Sequence, residues 1–401
     1  MLAPWSPSEA QLQDLGYQEL RRSGCDVTVL DMSTLIGSRE RSRSILPGTF
    51  RMADHAEFET FVAGCDDETV FIDYLVGLDQ IPPQMSHIFR ILRRHKTRLM
   101  VIAAQPIPAS AASTDPRTVR AVRLARWRKS SDVSAWARLA AVKTIALARR
   151  ERLLYPLPDR VFSTRSDTLD LFAKRMSYPP ERVVHINSLD QWRYRSYMQQ
   201  RGDTPPITER IAVFLDEGAS VHPDFEIMRR EDRRLPHEEY GAELRGFFDE
   251  FESRTGLAVV VALHPRSDYD DPGFFGDRRA VRDSSIDLVA RSSAVIIHAT
   301  TAVNFAVLFD KPVMVIETAG MERVGYSVVV ASVAGALGLV PVQVFKPAAV
   351  AAVEWDPSHW YRRGFPEYLD RYVRSSDAGD ATVWETVSDS LRAERVWPLC
   401  P

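Results

Sequence analysis

The sequence predicts an α/β protein built from two Rossmann-like domains facing a cleft. Three observations carry that expectation. The chain has 401 residues, too many for one ordinary core and suited to two of about 150–200 residues each. Short apolar, β-branched runs alternate with amphipathic stretches, and strand, helix and strand in succession imply a parallel sheet. A polar stretch, Gln199 to Thr208 with Gly202 and Pro205-Pro206, reads as a linker between the two series. The expected division is 1–205, 206–350 and a set of C-terminal helices, 351–401.

Composition excludes several classes. Hydrophobic content of 45% and charged content of 26% are those of a soluble globular chain. A net charge of −3 argues against nucleic acid as a partner. Cys25, Cys65 and Cys400 are widely spaced, form no zinc pattern, and fit a reducing cytoplasm. No apolar run approaches the ~20 residues of a membrane span.

In chain order, Ser8 to Ser23 carries Leu12, Leu15, Tyr17 and Leu20 near helical spacing, closed by Gly24. Asp26–Leu30 follows as a strand ending at Asp31, which reads as a turn former or a ligand contact. A first strand would normally precede this helix, and Met1–Pro4 is barely long enough. Either that strand is rudimentary or the sequence starts inside it. Thr69–Leu75 is a strand ending in the run Asp73 to Asp79, followed by a helix over Pro83–Lys96 and a strand over Arg98–Ala103. Between Arg117 and Arg152, many basic residues are opposed only by Asp132 and Glu151, with Trp127 and Trp136 among them. Two basic amphipathic helices fit, either as a solvated face on the core or resting on an anionic membrane. Asp159–Ser163 and Arg182–Ile186 are strands with a helix, Ser166 to Met176, between them.

The second series opens with Ile211–Leu215, ending at Asp216-Glu217-Gly218. Glu238 to Thr255 is a helix whose Tyr240, Leu244, Phe247, Phe248 and Phe251 repeat as core positions. Leu257–Leu263 is an unbroken apolar run, the mark of a strand buried on both faces. It stops at His264-Pro265-Arg266-Ser267, so polar groups stand at the strand's carboxyl end, where open α/β sheets keep ligands. The loop Asp268-Tyr269-Asp270-Asp271 lacks a preceding strand and is not read as a metal site. Ile286–Ser292 is a helix, Ala294–Ile297 a strand, His298-Ala299-Thr300-Thr301 a turn, and Lys311–Ile316 a further strand ending at Glu317-Thr318. A helix beginning at Thr300 or Thr301 would offer N–H groups, a positive dipole end and two hydroxyls to an anion. His264 and Arg266, from a neighbouring strand end, would add a titratable ring and a fixed cation. From Trp360 to Leu391 the chain reads as helical.

A strand ending in His-Pro (His264-Pro265), then a strand ending in paired hydroxyls (Thr300-Thr301) before a helix and a Lys-Pro strand (Lys311-Pro312), resembles the donor half of GT-B glycosyltransferases. The likeness is strongest to bacterial sialyl- and Kdo-transferase-like enzymes of surface polysaccharide synthesis, and looser to CDP-glycerol glycerophosphotransferases. It covers roughly residues 206–320, on short motifs. The resemblance implies donor nucleotide and phosphate contacts from His264, Thr300 and Thr301; Arg266, His298 and Asn304, close to them in sequence, are further candidates for the same contacts. It implies an acceptor-activating carboxylate, for which Asp216, Glu217 and Asp73 are the candidates, with Asp79 nearby. Asp216-Glu217-Gly218 spells the acidic motif of bacterial sialyltransferases, but there it lies in the amino-terminal domain, so donor-ribose binding or loop structure is an equal reading. It also implies that the final helices pack back on the first domain.

The expected activity is transfer of a sugar from a nucleotide-activated donor, such as a CMP-linked 2-keto sugar, to a polysaccharide or lipid-linked glycan. No metal or other cofactor is expected. The protein would be cytoplasmic, with peripheral contact to the inner membrane face through 117–152. The alternatives are a CDP-glycerol-type polyol-phosphate transferase, a nucleotide-sugar epimerase and a non-catalytic sugar-nucleotide-binding protein.

Overall fold

The computed structural model describes residues 1–37, 46–74, 85–104, 107–108, 155–202, 208–227, 231–360 and 362–394. The basic stretch 117–152 and Asp79 lie outside them. Two compact units result. One contains Met1–Ala104, the described residues from 155 to Leu189, and those from Ser375 onward; the other contains 107–108 and the described residues of Asp190–Arg374.

The first unit holds a seven-stranded sheet of β1 (Leu2–Ala3), β2 (Val29–Asp31), β3 (Thr49–Arg51), β4 (Val70–Asp73), β5 (Arg98–Ala103), β6 (Arg160–Ser163) and β7 (Val183–His185). Its order is β3-β2-β1-β4-β5-β6-β7, and its pairs are parallel. The expected short first strand is thus two residues long and central: Leu2 pairs with both Leu30 and Asp73. The expected single helix from Ser8 is two helices, Glu9–Asp14 and Tyr17–Arg22. Gly16 breaks it at φ +66°, where a Cβ would lie 2.0 Å from the Trp384 ring. Backbone turn and tryptophan therefore require each other.

The second unit holds β8 (Ile211–Leu215), β9 (Ala258–Leu263), β10 (Ala280–Arg282), β11 (Ala294–Ile297), β12 (Val313–Glu317) and β13 (Val342–Gln343). Their order is β10-β9-β8-β11-β12-β13, again with parallel pairs. Strands β8, β9, β11 and β12 are close to fully buried, as their apolar runs require. The helix His237–Thr255 packs Leu244, Phe248 and Phe251 into the same core.

Both sheets share one plan: the first strand lies inside, the second and third extend to one side, and the fourth returns to the other. Such a sheet has a topological switch point where the first and fourth strands meet, and ligands sit outside the carboxyl ends there. In the second unit that point lies between β8 and β11. Expectation and structure differ here. β9 and β11 are not neighbours, because β8 runs between them. At the usual strand spacing, His264 and Thr300 issue from strand ends roughly 10 Å apart, with Asp216 and Glu217 between. The continuous helix expected from Trp360 to Leu391 is also broken, into Phe365–Tyr368, a wider turn over Leu369–Val373, and Val383–Glu394. Among the described residues, no helix is long and apolar enough to cross a membrane.

Candidate active site at the carboxyl ends of the second sheet

Strand β8 delivers Asp216 and Glu217 to the switch point, and Gly218 turns the chain at φ +64°. Asp216 is buried, 3% exposed, and both carboxyl oxygens are engaged. Oδ1 accepts the Gly218 N–H at 3.0 Å and the Tyr269 hydroxyl at 2.8 Å; Oδ2 accepts the His264 N–H at 3.3 Å. Burial pushes its pKa upward, and these donors offset only part of that push. The geometry makes Asp216 a holding residue that ties the ends of β8 and β9 to the loop after β9.

Glu217 is different. Its Oε2 accepts the Tyr326 hydroxyl at 3.3 Å, while its Oε1 is shut from solvent without a hydrogen-bond partner. Burial and the adjacent Asp216 charge raise its pKa to about 8. The Tyr326 hydroxyl and the Ala299 N–H favour the ionised form but do not prevail. Near neutral pH this carboxyl therefore keeps its proton, the opposite of what a resting general base needs.

His264 follows β9. Its Nδ1 accepts the Arg266 N–H at 3.1 Å, which places the ring proton of the neutral form on Nε2. Burial, with His222 and Arg266 beside it, lowers its pKa to about 3, so the ring is a neutral donor. Three bonds hold its carbonyl: the Ser267 N–H at 3.0 Å, the Ser267 hydroxyl at 2.8 Å and Arg282 Nη1 at 3.1 Å. Arg266 is not a spare cation: Nη1 is paired with Asp224 at 2.8 Å.

After β11, His298 turns into the core. Its Nδ1 donates to the Ile316 carbonyl at 2.7 Å and its Nε2 accepts the Tyr240 hydroxyl at 3.0 Å. Burial lowers its pKa to about 4, and with both nitrogens used it has nothing to offer a phosphate. Asn304 is likewise committed, donating to Asp190 at 2.9 Å and accepting from Tyr368 at 3.0 Å. The helix expected at Thr300 or Thr301 spans only Val303–Leu308. Turn carbonyls of Thr300 and Thr301 already accept the N–H groups of Val303 and Asn304, and the Thr300 hydroxyl accepts the Ala302 N–H at 3.2 Å. Both threonines are half-buried at the turn's surface.

Strand β12 adds Glu317, whose Oε2 accepts from Gln343 at 3.2 Å. Glu317 Oε1 and Thr318 Oγ1 are buried without partners. The ends of β8 and β12 thus hold several polar atoms that nothing among the described residues satisfies. Buried polar atoms of this kind ordinarily find a protein, water or ligand partner. Sequence reading missed Tyr269, Tyr326 and Arg282. Tyr269 stands in the acidic loop that is not read as a metal site, and no local pattern marks a tyrosine that reaches back to the end of the neighbouring strand.

In the first unit, Asp73 ends β4 at that sheet's own switch point. It is fully buried and accepts the Tyr155 hydroxyl at 3.0 Å. Asp31 accepts from Ser6 at 2.6 Å, the Ser33 N–H at 3.0 Å and Arg51 at 2.8 Å. Burial raises its pKa, but these donors outweigh it and the net shift is downward.

No protein-family model matches the chain, and no curated protein matches it either. Solved structures do. A variant of the wall teichoic acid polymerase TagF is similar at a TM-score of 0.54 with 9% identity, covering 96% of this chain and 85% of that one. A second TagF structure, soaked with CDPG, gives 0.51 and 11%, covering 94% and 83%. The calicheamicin glycosyltransferase CalG4 gives 0.49 and 13%, covering 96% and 95%. At such identities the TagF likeness shows the fold, two Rossmann-like domains of the GT-B kind.

Proposed function

We propose that the chain is a GT-B transferase that takes a sugar from a nucleotide-activated donor and passes it to a glycan acceptor. The observation that carries this reading is the convergence at the second sheet's switch point. A neutral His264 with Nε2–H as donor, the Thr300-Thr301 turn, and the unpartnered oxygens of Glu217, Glu317 and Thr318 issue there from adjoining strand ends. Donor N–H and O–H groups, the protonated Glu217 among them, suit phosphate oxygens, and the unpartnered oxygens of Glu317 and Thr318 suit sugar hydroxyls.

In the reaction an acceptor oxygen attacks the anomeric carbon, and the bond from that carbon to the donor phosphate breaks with its electrons on the phosphate. His264 and the turn after β11 stabilise the departing phosphate. The acceptor's proton needs a base. Asp73 is the candidate we retain for it. The acceptor we favour is a polysaccharide or lipid-linked glycan, with 117–152 as a peripheral membrane contact.

A second reading, transfer of a polyol phosphate, is favoured by one finding: three TagF structures, one soaked with CDPG, are similar at TM-scores of 0.51 to 0.54. Both readings make cytidine nucleotides the first donors to test. The experiment is a thermal-shift panel of CMP, CDP, UDP and GDP, with His264→Ala as control. A nucleotide at about 100 times its dissociation constant stabilises the native protein by about 2.7 kcal/mol. A cytidine nucleotide should raise the melting temperature of the native protein and not of His264→Ala. Four nucleotides without effect would remove the donor-site reading.

A further inference from the structure

We propose that Glu217 binds the anionic group of the donor as a carboxylic acid, giving its Oε1 proton as a hydrogen bond to a phosphate oxygen, so that nucleotide affinity depends on that proton. This rests on the nucleotide-donor reading above and adds how the ligand's charge is accommodated.

The geometry of the pair makes the argument. Asp216 and Glu217 are consecutive; Asp216 is buried, and Glu217 is half-buried with its Oε1 shut from water. Burial and the repulsion of the neighbouring like charge keep a proton in the pair. The hydrogen bonds decide which carboxyl holds it. Asp216 receives donors on both oxygens from Gly218, Tyr269 and His264, each of which favours its carboxylate. Glu217 receives the Tyr326 hydroxyl on Oε2 and a lesser contribution from the Ala299 N–H, and its Oε1 has no hydrogen-bond partner among the described residues. The proton therefore belongs on Glu217 Oε1, where it has no protein acceptor. A buried O–H without an acceptor is costly, and an anionic oxygen supplies the missing partner. An ionised Glu217 would instead meet a phosphate with like charge.

The groups that face Glu217 leave this as the titration that matters. Asp216 shares its turn; Tyr240 comes from the helix His237–Thr255, Tyr269 from the loop after β9, and Tyr326 from the segment after Val324. Burial pushes all three tyrosines well above their ordinary value, so they stay protonated. Arg233 acts on Tyr326 and favours its ionised form slightly. His298, in the turn beside Ala299, and His264 are neutral throughout the alkaline range. Glu317, at the end of β12, is acidic and offers no compensating cation. The nucleotide's own last phosphate ionisation lies near pH 6, below the window of interest.

The test is isothermal titration of CDP into the full-length protein from about pH 7 to about pH 9.5, repeated in two buffers of different ionisation heat. The native protein should lose affinity above about pH 8, approaching tenfold for each further pH unit, with proton uptake on binding. Glu217→Gln, whose amide donates at every pH, should bind with a flat profile. Tyr326→Phe removes a donor that favours the ionised form, so it should move the native midpoint upward and keep Glu217 itself in place. CDP binding whose affinity is constant over the range, or a Glu217→Gln profile that falls as the native one does, would overturn the proposal while leaving the donor site standing. Absence of CDP binding at every pH would remove both.

Discussion

Asp216 and Glu217 carry the same functional group one residue apart, and their surroundings separate them. The Asp216 carboxylate joins Gly218, Tyr269 and His264, so removing it leaves three buried donors without an acceptor. Each such loss costs about 1–3 kcal/mol, and Asp216→Ala should lower stability by several kcal/mol. Asp216→Asn keeps one acceptor oxygen and should recover part of it, as urea unfolding would show; equal losses for both would deny the carboxylate its tie to three segments. Glu217 makes the opposite demand. Its pKa is raised from 4.5 to about 8 in the fold, so between those values the native state holds a proton that the unfolded chain has released. Stability therefore falls as pH rises through that window, by at most about 1.4 kcal/mol per unit, and is unaffected by this group below it. Glu217→Gln should be more stable than the native protein near pH 8 and equal to it near pH 4.5. A difference that grows on acidification would mean the proton has been assigned to the wrong state.

Strand ends decide which of these residues can meet a ligand, and that depends on strand order and on the side of the sheet end each residue faces. His264 and His298 look alike in sequence, each a polar residue directly after an apolar run. One keeps an Nε2 without a partner among the described residues; the other has both nitrogens bonded inside the core, to Ile316 and Tyr240. Tyr240→Phe leaves His298 Nε2 without its donor and should cost about 1–3 kcal/mol in urea unfolding, with CDP affinity unchanged. A loss of affinity beyond the loss of stability would put His298 back among the ligand contacts. The apolar runs made β8, β9, β11 and β12 legible, because a strand buried on both faces tolerates little else. They could not make lateral order legible, since any of these runs pairs equally well beside any other. Thus His264 and Thr300 were expected on neighbouring strands, and β8 with its two carboxyls came between them. Short edge strands such as β3 and β10 carry too few apolar residues to announce themselves. Asn304 followed the paired hydroxyls in sequence, yet long-range bonds to Asp190 and Tyr368 fix it where local pattern has no say.

The path of the chain through the molecule imposes a constraint that neither sheet does alone. Apart from a short excursion after Ala104, it leaves the first unit at Leu189, builds the second from Asp190 to Arg374, and returns at Ser375. Asn187 fastens the return: its Oδ1 accepts the Ser375 N–H at 3.0 Å, and its Nδ2 donates to the carbonyls of Gly379 at 3.0 Å and Ala381 at 3.2 Å. The helix Val383–Glu394 then buries Val383, Trp384 and Val387 in the first core, with Trp384 lying over Gly16, where any Cβ would collide. Truncating one buried tryptophan to alanine costs about 3–5 kcal/mol. The whole segment is therefore comparable to the 5–15 kcal/mol that ordinarily holds a domain together. The second unit loses no residue when the chain is ended after Arg374. Amide hydrogen exchange on that truncated protein should show protection lost across β1 to β7 and retained across β8 to β13, with Trp384→Ala giving a milder form of the same pattern. Full protection of β1 to β7 without the final helix would mean that Gly16 and the residues around it hold the first core unaided, and that the returning segment is an attachment to a unit already complete.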